Sequence, residues 1–374
     1  MKKSLIALAA LGTIASAAQA QTAVTIYGTV DTGITYSNHN ATTNGDGGSK
    51  FGVGSGNIDT SRLGFKGVED LGGGLKALFQ LEAGFNNDTG ATEQGTTLLN
   101  RKSVVGLGGN FGTVLLGRQS DILDDAGHQY TSIKDFGNFV GSPHALDRLE
   151  GIRTQNSIRY DSPNVQGFKG SLIYGFGEQA GQNSAGQSFG AGGTYDNGPL
   201  GLYLGYYQSK FGSNPSDTLI SSIAAASGLT PADLSGANLD GTTVNKTFSL
   251  GASYQAGPAR LYGNWSRVNV PDALKQNVFE LGADYAVTAP LHLLAAVQHT
   301  NTSINGYDGS KPSVTQVNLG LDYYLSKRTD LYTLASYAKG NNGALVGNIY
   351  SPAVQNDDGK SNQTAVAIGI RHKF

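Results

Sequence analysis

Five arginines and a short run of carboxylates are the side chains whose types and spacing could do chemistry here. Arg118 and Arg153 bracket a long polar segment, residues 119–152, which carries Asp121, Asp124, Asp125, Asp135, Asp147 and Glu150. Arg62, Glu82, Arg101 and Arg159 lie in the flanking sequence. Guanidinium and carboxylate groups fixed around a narrow aqueous passage keep it wet and bias which ions enter it. Nothing comparable points to catalysis. The six histidines (His39, His128, His144, His292, His299, His372) show no H-x-x-x-H or H-E-x-x-H spacing. No Walker A loop is present. With no cysteine, thiolate chemistry and disulfides are both absent. No cofactor and no metal is implied, and a convergent Ser/His/acid set that would mark an enzyme is not legible.

The chain opens with Met1-Lys2-Lys3, an apolar run Leu5–Ile14 and then Ala18-Gln19-Ala20. A basic start, a short apolar stretch and an A-x-A site describe a secretory signal peptide over residues 1–20. A single domain is then expected over 21–374. Lys+Arg is 26 and Asp+Glu 28; removing Lys2 and Lys3 with the signal leaves 24 against 28, a net of −4. That balance gives no reason to expect a nucleic-acid partner. Gly 54, Tyr 18 and Phe 14 against Trp 1 and Met 1 do not suit a helical bundle.

Period-two alternation dominates the mature chain. Val24, Ile26, Val30 and Ile34 fall on one face, with Thr25, Tyr27, Thr29 and Asp31 on the other. Leu75, Ala77, Phe79, Leu81, Ala83 and Phe85 oppose Lys76, Gln80 and Glu82. The same pattern sets Phe248, Leu250 and Tyr254 against Asn245, Thr247 and Ser249, Phe279 and Leu281 against Glu280, and Ile368 and Ile370 against Arg371 and Lys373. A soluble antiparallel sheet also alternates, but no amphipathic helix is available to cover the apolar faces. A wall with hydrocarbon outside and water inside fits better.

The connections alternate in length. Short turns at 69–73, 108–112, 162–164, 196–199, 256–258, 287–290 and 326–328 carry Gly, Pro, Asn, Asp or Ser. Long polar segments fall near 37–57, 86–99, 119–152, 178–187, 209–243, 267–276, 301–313 and 340–361. The expected fold is therefore all-β, a transmembrane antiparallel β-barrel of about sixteen strands, with short periplasmic turns and long external loops. Residues 119–152 are expected to fold into the lumen. Aromatics near the short turns (Phe65, Tyr160, Phe168, Tyr195, Tyr254, Tyr285, Tyr323, Phe374) form a candidate interfacial girdle. Leu219–Ala226 and Thr230-Pro231-Ala232-Asp233 read as short helices within an external loop. Asn356-Asp357-Asp358 reads as solvated loop charge, with a Ca²⁺ site at the rim as the alternative.

Several segments resemble the Gram-negative general porin family in its β-proteobacterial branch. They are Val24-Thr25-Ile26-Tyr27-Gly28, Ser61 to Ala77, Gly108 to Arg118, Asn156 to Asn164, Tyr195-Asp196-Asn197-Gly198-Pro199, Leu325 to Thr329, and Gly369-Ile370-Arg371-His372-Lys373-Phe374. They span the mature chain in order. The resemblance implies a sixteen-stranded outer-membrane channel, usually a homotrimer, whose third external loop sets a constriction. Partners would be outer-membrane lipid and lipopolysaccharide, the outer-membrane assembly machinery, which would read Phe374, and small ions and hydrophilic solutes. By resemblance, Arg62, Arg101 and Arg153 match the arginine cluster of anion-preferring members, Glu82 an acid set against it, and Arg118 a further wall arginine. Arg159 lies nearby. Asp121, Asp124 and Asp125 are the candidates for the facing loop. That loop lacks the enterobacterial Pro-Glu-Phe-Gly-Gly run, so which acid faces which arginine stays open. The expected activity is passive diffusion with a mild anion preference; the alternative is a channel selective for small organic anions on the same barrel.

Overall fold

The computed structural model describes residues 23–41, 47–93, 97–140, 146–149, 152–181, 183–210, 244–271, 273–305, 311–342 and 361–374. The expected signal peptide, the short helices within 209–243, Glu150 and the Asn356-Asp357-Asp358 run lie outside the described residues. No described helix is long and apolar enough to cross a membrane; the chain crosses with strands.

The strands are β1 (Ala23–Ala41), β2 (Gly47–Ser55), β3 (Arg62–Gly72), β4 (Leu75–Gly84), β5 (Lys102–Gly109), β6 (Gly112–Ser120), β7 (Arg153–Asp161), β8 (Phe168–Gly175) and β9 (Ser188–Asn197). They continue with β10 (Leu200–Lys210), β11 (Val244–Ala256), β12 (Ala259–Val270), β13 (Leu274–Ala286), β14 (Leu291–Ile304), β15 (Ser313–Tyr324), β16 (Thr329–Asn341) and β17 (Asn362–Lys373). Each pairs antiparallel with its neighbours in one sheet. Strand β1 pairs with β17 along one edge, and with β2 and then β3 along the other. Residues 56–61 interrupt β2 and β3, which share one strand position. The segments therefore make a closed barrel of sixteen strands, which leaves no ladder edge to meet hydrocarbon. Phe374 completes the seam. It exchanges two backbone hydrogen bonds with Gly28, each 3.1 Å, and its ring occupies the space that a Cβ on Gly28 would need.

The faces fall as the alternation requires. Leu281 and Ile368 are 68% and 62% exposed on the outer wall, and Ile26, Ile34, Leu250 and Phe279 also point outward. Thr29, Asp31, Thr247, Ser249, Glu280, Gln298 and Gln316 point inward and are buried. Of the candidate girdle, Phe65, Phe168, Tyr254, Tyr285, Tyr323 and Phe374 are exposed, and the Phe168 and Tyr195 rings lie 4.2 Å apart.

Several loops are shorter than the polar stretches that predict them. Strand β1 runs on to Ala41 and β2 begins at Gly47, so most of 37–57 is ladder. Strands β12 and β13 likewise consume most of 267–276. Polarity marks where lipid ends, whereas backbone pairing continues into water above it.

Candidate functional site at the barrel constriction

The segment between β6 and β7 folds into the barrel. It holds helix α1 (Ile122–Gly127), a 3-10 turn at His128–Tyr130, helix α2 (Ile133–Phe136) and a second 3-10 turn at Gly137–Val140. The Asp121 side chain caps α1, accepting the Asp124 N–H at 2.9 Å. What holds the segment down is apolar. Ile122, Leu123, Tyr130, Ile133, Phe136, Phe139 and Leu149 are all buried. They pack on inward-facing wall residues that break the polar-inside rule, among them Ile173, Tyr203, Tyr207, Leu294, Tyr332 and Leu334. Glycines on the wall allow the approach: a Cβ on Gly192 would lie 2.5 Å from the Ile122 side chain, and one on Gly251 2.7 Å from Tyr130. Gly137 is required for a second reason. Its φ of +52° is left-handed, and a Cβ there would meet the Ile58 backbone at 2.5 Å.

Polar ties fix the register of this docking. The Ser132 N–H donates to Glu280 of β13. Gln298 donates to the Ser132 hydroxyl at 2.8 Å, and Gln316 to the Phe139 carbonyl at 2.6 Å. Ser266 of β12 donates to Asp147 at 2.5 Å. At the far side the Asn138 N–H reaches the Asn57 carbonyl at 3.0 Å, in the break between β2 and β3. The loop thereby lines the wall from β8 round to β16 and leaves the wall of β3 to β7 facing it.

The charged residues predicted from sequence gather on that facing wall. Glu82 of β4 accepts from Arg101 Nε at 2.8 Å and from the Tyr27 hydroxyl at 2.8 Å, and Arg62 Nε stands 4.0 Å away. Arg118 Nε donates to the Asn100 carbonyl at 2.7 Å. Arg153 and Arg159 of β7 cross to the loop, pairing with Asp124 at 2.6 Å and with Asp125 respectively. Arg159 also binds Asp161 at 2.9 Å. Asp124 and Asp125 thus face the wall arginines. Asp121 does not: it is fully buried and pairs inside the loop with Arg148 at 2.8 Å.

Three partners went unread in the sequence. Asp59 binds Arg62 at 2.5 Å, Glu93 binds Arg101 at 3.3 Å, and Arg148 holds Asp121 while its guanidinium stacks 4.2 Å from the Tyr207 ring centre. Asp59 and Glu93 lie in irregular segments, where period-two alternation assigns no face.

Electrostatics in the loops follow the pairing. Burial works against the Asp125 carboxylate, but Arg159, backed by Lys102 and Arg153, holds it below the usual range. Asp59, partly exposed beside Arg62, is likewise held low by that guanidinium. Burial pushes Asp121 up to about 6 despite Arg148. His128 is held low by burial, against the pull of Asp124 and Asp59. Among the described residues no group of three His, Asp or Glu is arranged to hold a metal.

A closed sixteen-stranded barrel with apolar residues outside and a charged, loop-narrowed lumen defines a membrane channel. The Gram-negative porin family model matches residues 7–344. Outer membrane porin protein 32 of Delftia acidovorans is 34% identical with all of both chains covered. A major outer membrane protein P.IB of Neisseria gonorrhoeae is 32% identical over the full length of both. Among solved structures, an anion-selective porin from Comamonas acidovorans superposes with a TM-score of 0.74 at 31% identity, covering 95% of this chain and 100% of that one. A trimer form of OmpT from Vibrio cholerae gives 0.66 at 19%, covering 94% and 99%, which shows the fold alone. The chain belongs to the Gram-negative porin family. Its barrel is a passive channel for ions and small hydrophilic solutes in the outer membrane of a Gram-negative bacterium.

Proposed function

We propose that the passage between the β3–β7 wall and the loop is the selectivity constriction, and that it favours small anions mildly. The observation that carries this is the grouping of Arg62, Arg101, Arg118, Arg153 and Arg159 around it, with Glu82, Asp124 and Asp125 interleaved. Ions feel these fixed charges at short range rather than the net charge of the chain. The likeness to an anion-selective porin at 31% identity supports the sign. Replacing Arg62 with Ala is expected to move the zero-current potential in a salt gradient toward the cation side. An unchanged potential would remove Arg62 from the constriction. Flux should rise linearly with solute concentration; saturation would favour the reading as a channel for particular organic anions.

The same reading takes the channel as a homotrimer in contact with outer-membrane lipid, with Phe374 as the residue read during assembly. Sedimentation in detergent is expected to give three times the chain mass. Because the Phe374 ring and backbone close the seam on Gly28, Phe374→Ala is expected to lower the yield of folded barrel in outer membranes severalfold. A normal yield would leave Phe374 without that role.

A further inference from the structure

The loop between β4 and β5 brings to the constriction a carboxylate that the barrel wall does not carry. Beyond Gly84 the chain turns back on itself as a short hairpin. Phe85 and Thr92 form an antiparallel bridge, the Asn86 N–H donates to the Ala91 carbonyl at 2.8 Å, and the Glu93 N–H donates to the Gly84 carbonyl at 3.0 Å. Gly90, with a left-handed φ of +74°, makes the turn. The hairpin is tied to the break between β2 and β3. Ser55 accepts the Asn87 N–H at 2.9 Å, and the Ser61 hydroxyl donates to the Asn87 side chain at 3.3 Å. These bonds fix the point at which Glu93 enters the lumen.

The seat of Glu93 is the missing side chain of Gly84. Gly84 lies two residues beyond Glu82 on β4 and opposite Arg62 on β3, so it shares their lumenal face. A Cβ there would collide with the Glu93 carboxylate and would lie 3.0 Å from Arg101 Cδ. With glycine in place, Glu93 reaches Arg101 Nη1 at 3.3 Å while Glu82 holds Nε at 2.8 Å. One guanidinium thus meets two carboxylates. They are held differently. Glu82 stands in a ladder between β3 and β5 and also accepts from the Tyr27 hydroxyl at 2.8 Å. Glu93 hangs from the loop and is 24% exposed against 12% for Glu82.

A guanidinium edge of this kind binds the oxygens of a carboxylate in pairs. Glu93 occupies part of that edge on Arg101. We propose that Glu93 is a specificity-determining residue of the channel, an internal carboxylate that takes on Arg101 the place of a solute carboxylate. It thereby keeps the anion preference mild and disfavours dicarboxylates. The proposal rests on reading this passage as the selectivity constriction. It makes ion choice a property of the β4–β5 loop as well as of the wall and the lumenal loop.

The test is planar-bilayer recording of the full-length protein and three variants. Glu93→Gln keeps the size of the side chain and removes its charge. The permeability ratio of chloride to potassium is expected to rise about threefold in about 0.1 M salt, and less in about 1 M, because the charge lies beside the passage and is screened. Succinate added to one side at constant ionic strength should block the chloride current at a severalfold lower concentration than in the parent. Gly84→Ala keeps every charge but fills the seat, so it should move both readings in the same direction. Asp88→Asn, on the exposed tip of the hairpin, removes the same charge away from Arg101 and should leave both at parental values. Parental readings in Glu93→Gln and Gly84→Ala, with Arg62→Ala still shifting the zero-current potential, would overturn the proposal and leave the constriction where it is. An Asp88→Asn effect equal to that of Glu93→Gln would also overturn it, as a general effect of rim charge. If Arg62→Ala too has no effect, the constriction reading fails and the proposal fails with it.

Discussion

Replacing Phe136 and Phe139 together with Ala is expected to release the lumenal loop and widen the channel. Both rings are fully buried between the loop and the wall. A buried Phe→Ala change costs about 3–5 kcal/mol through lost transfer energy and the cavity left behind. Local opening of a loop lies at the low end of a protein's stability range, so two such losses should leave the docked form in the minority. The barrel should survive, because its ladder runs through β1 to β17 and borrows no hydrogen bond from Phe136. Conductance in planar bilayers should rise, and liposome swelling should admit sugars that the parent excludes. Unfolding of the whole barrel in detergent should change little. Parental conductance and the parental size limit would mean that the apolar contacts do not hold the loop.

The second large effect is expected at Glu82. Its carboxylate stands between Arg101 at 2.8 Å and Arg62 at 4.0 Å. Glu82→Gln removes one negative charge from the ring and leaves its shape. At an effective dielectric of about 20, one charge about 8 Å from a passing ion is worth roughly 2 kcal/mol, and screening in 0.1 M salt reduces that to about 1 kcal/mol. Anion preference should therefore rise roughly fivefold at 0.1 M and by much less at 1 M. The zero-current potential at both salt concentrations measures this directly. A shift toward cations, or one independent of salt, would contradict the assignment.

The wall was legible in the sequence because two solvents impose a period of two. Ile26 against Asp31, Leu281 against Glu280 and Ile368 against Arg371 each announce a face. The barrel arginines followed, since Arg62 shares its face with Gly64 and not with Leu63. The loop was legible only in outline. Its carboxylates drew attention, whereas its docking depends on Ile122, Leu123, Phe136 and Phe139, and on inward Tyr203, Tyr207 and Leu334. No periodicity advertises that match: the two surfaces are far apart in sequence and each looks like a local exception. The same distance hid Asp59 and Glu93 as partners of Arg62 and Arg101. Asp121 shows the opposite case, a carboxylate whose position just after Arg118 suggested a pore role and whose geometry makes it a buried helix cap held by Arg148.

The measurement that bears most directly on the channel is thiol labelling of single-cysteine variants in intact outer membranes. The chain has no cysteine of its own, so each introduced thiol reports alone. Lys66→Cys on the lumenal face should react quickly with a charged, water-soluble reagent and reduce conductance. Leu281→Cys on the outer face should resist that reagent and react with one dissolved in the bilayer. A charged reagent that labels Leu281→Cys and spares Lys66→Cys would put water and lipid on the wrong sides of the strands and contradict the account.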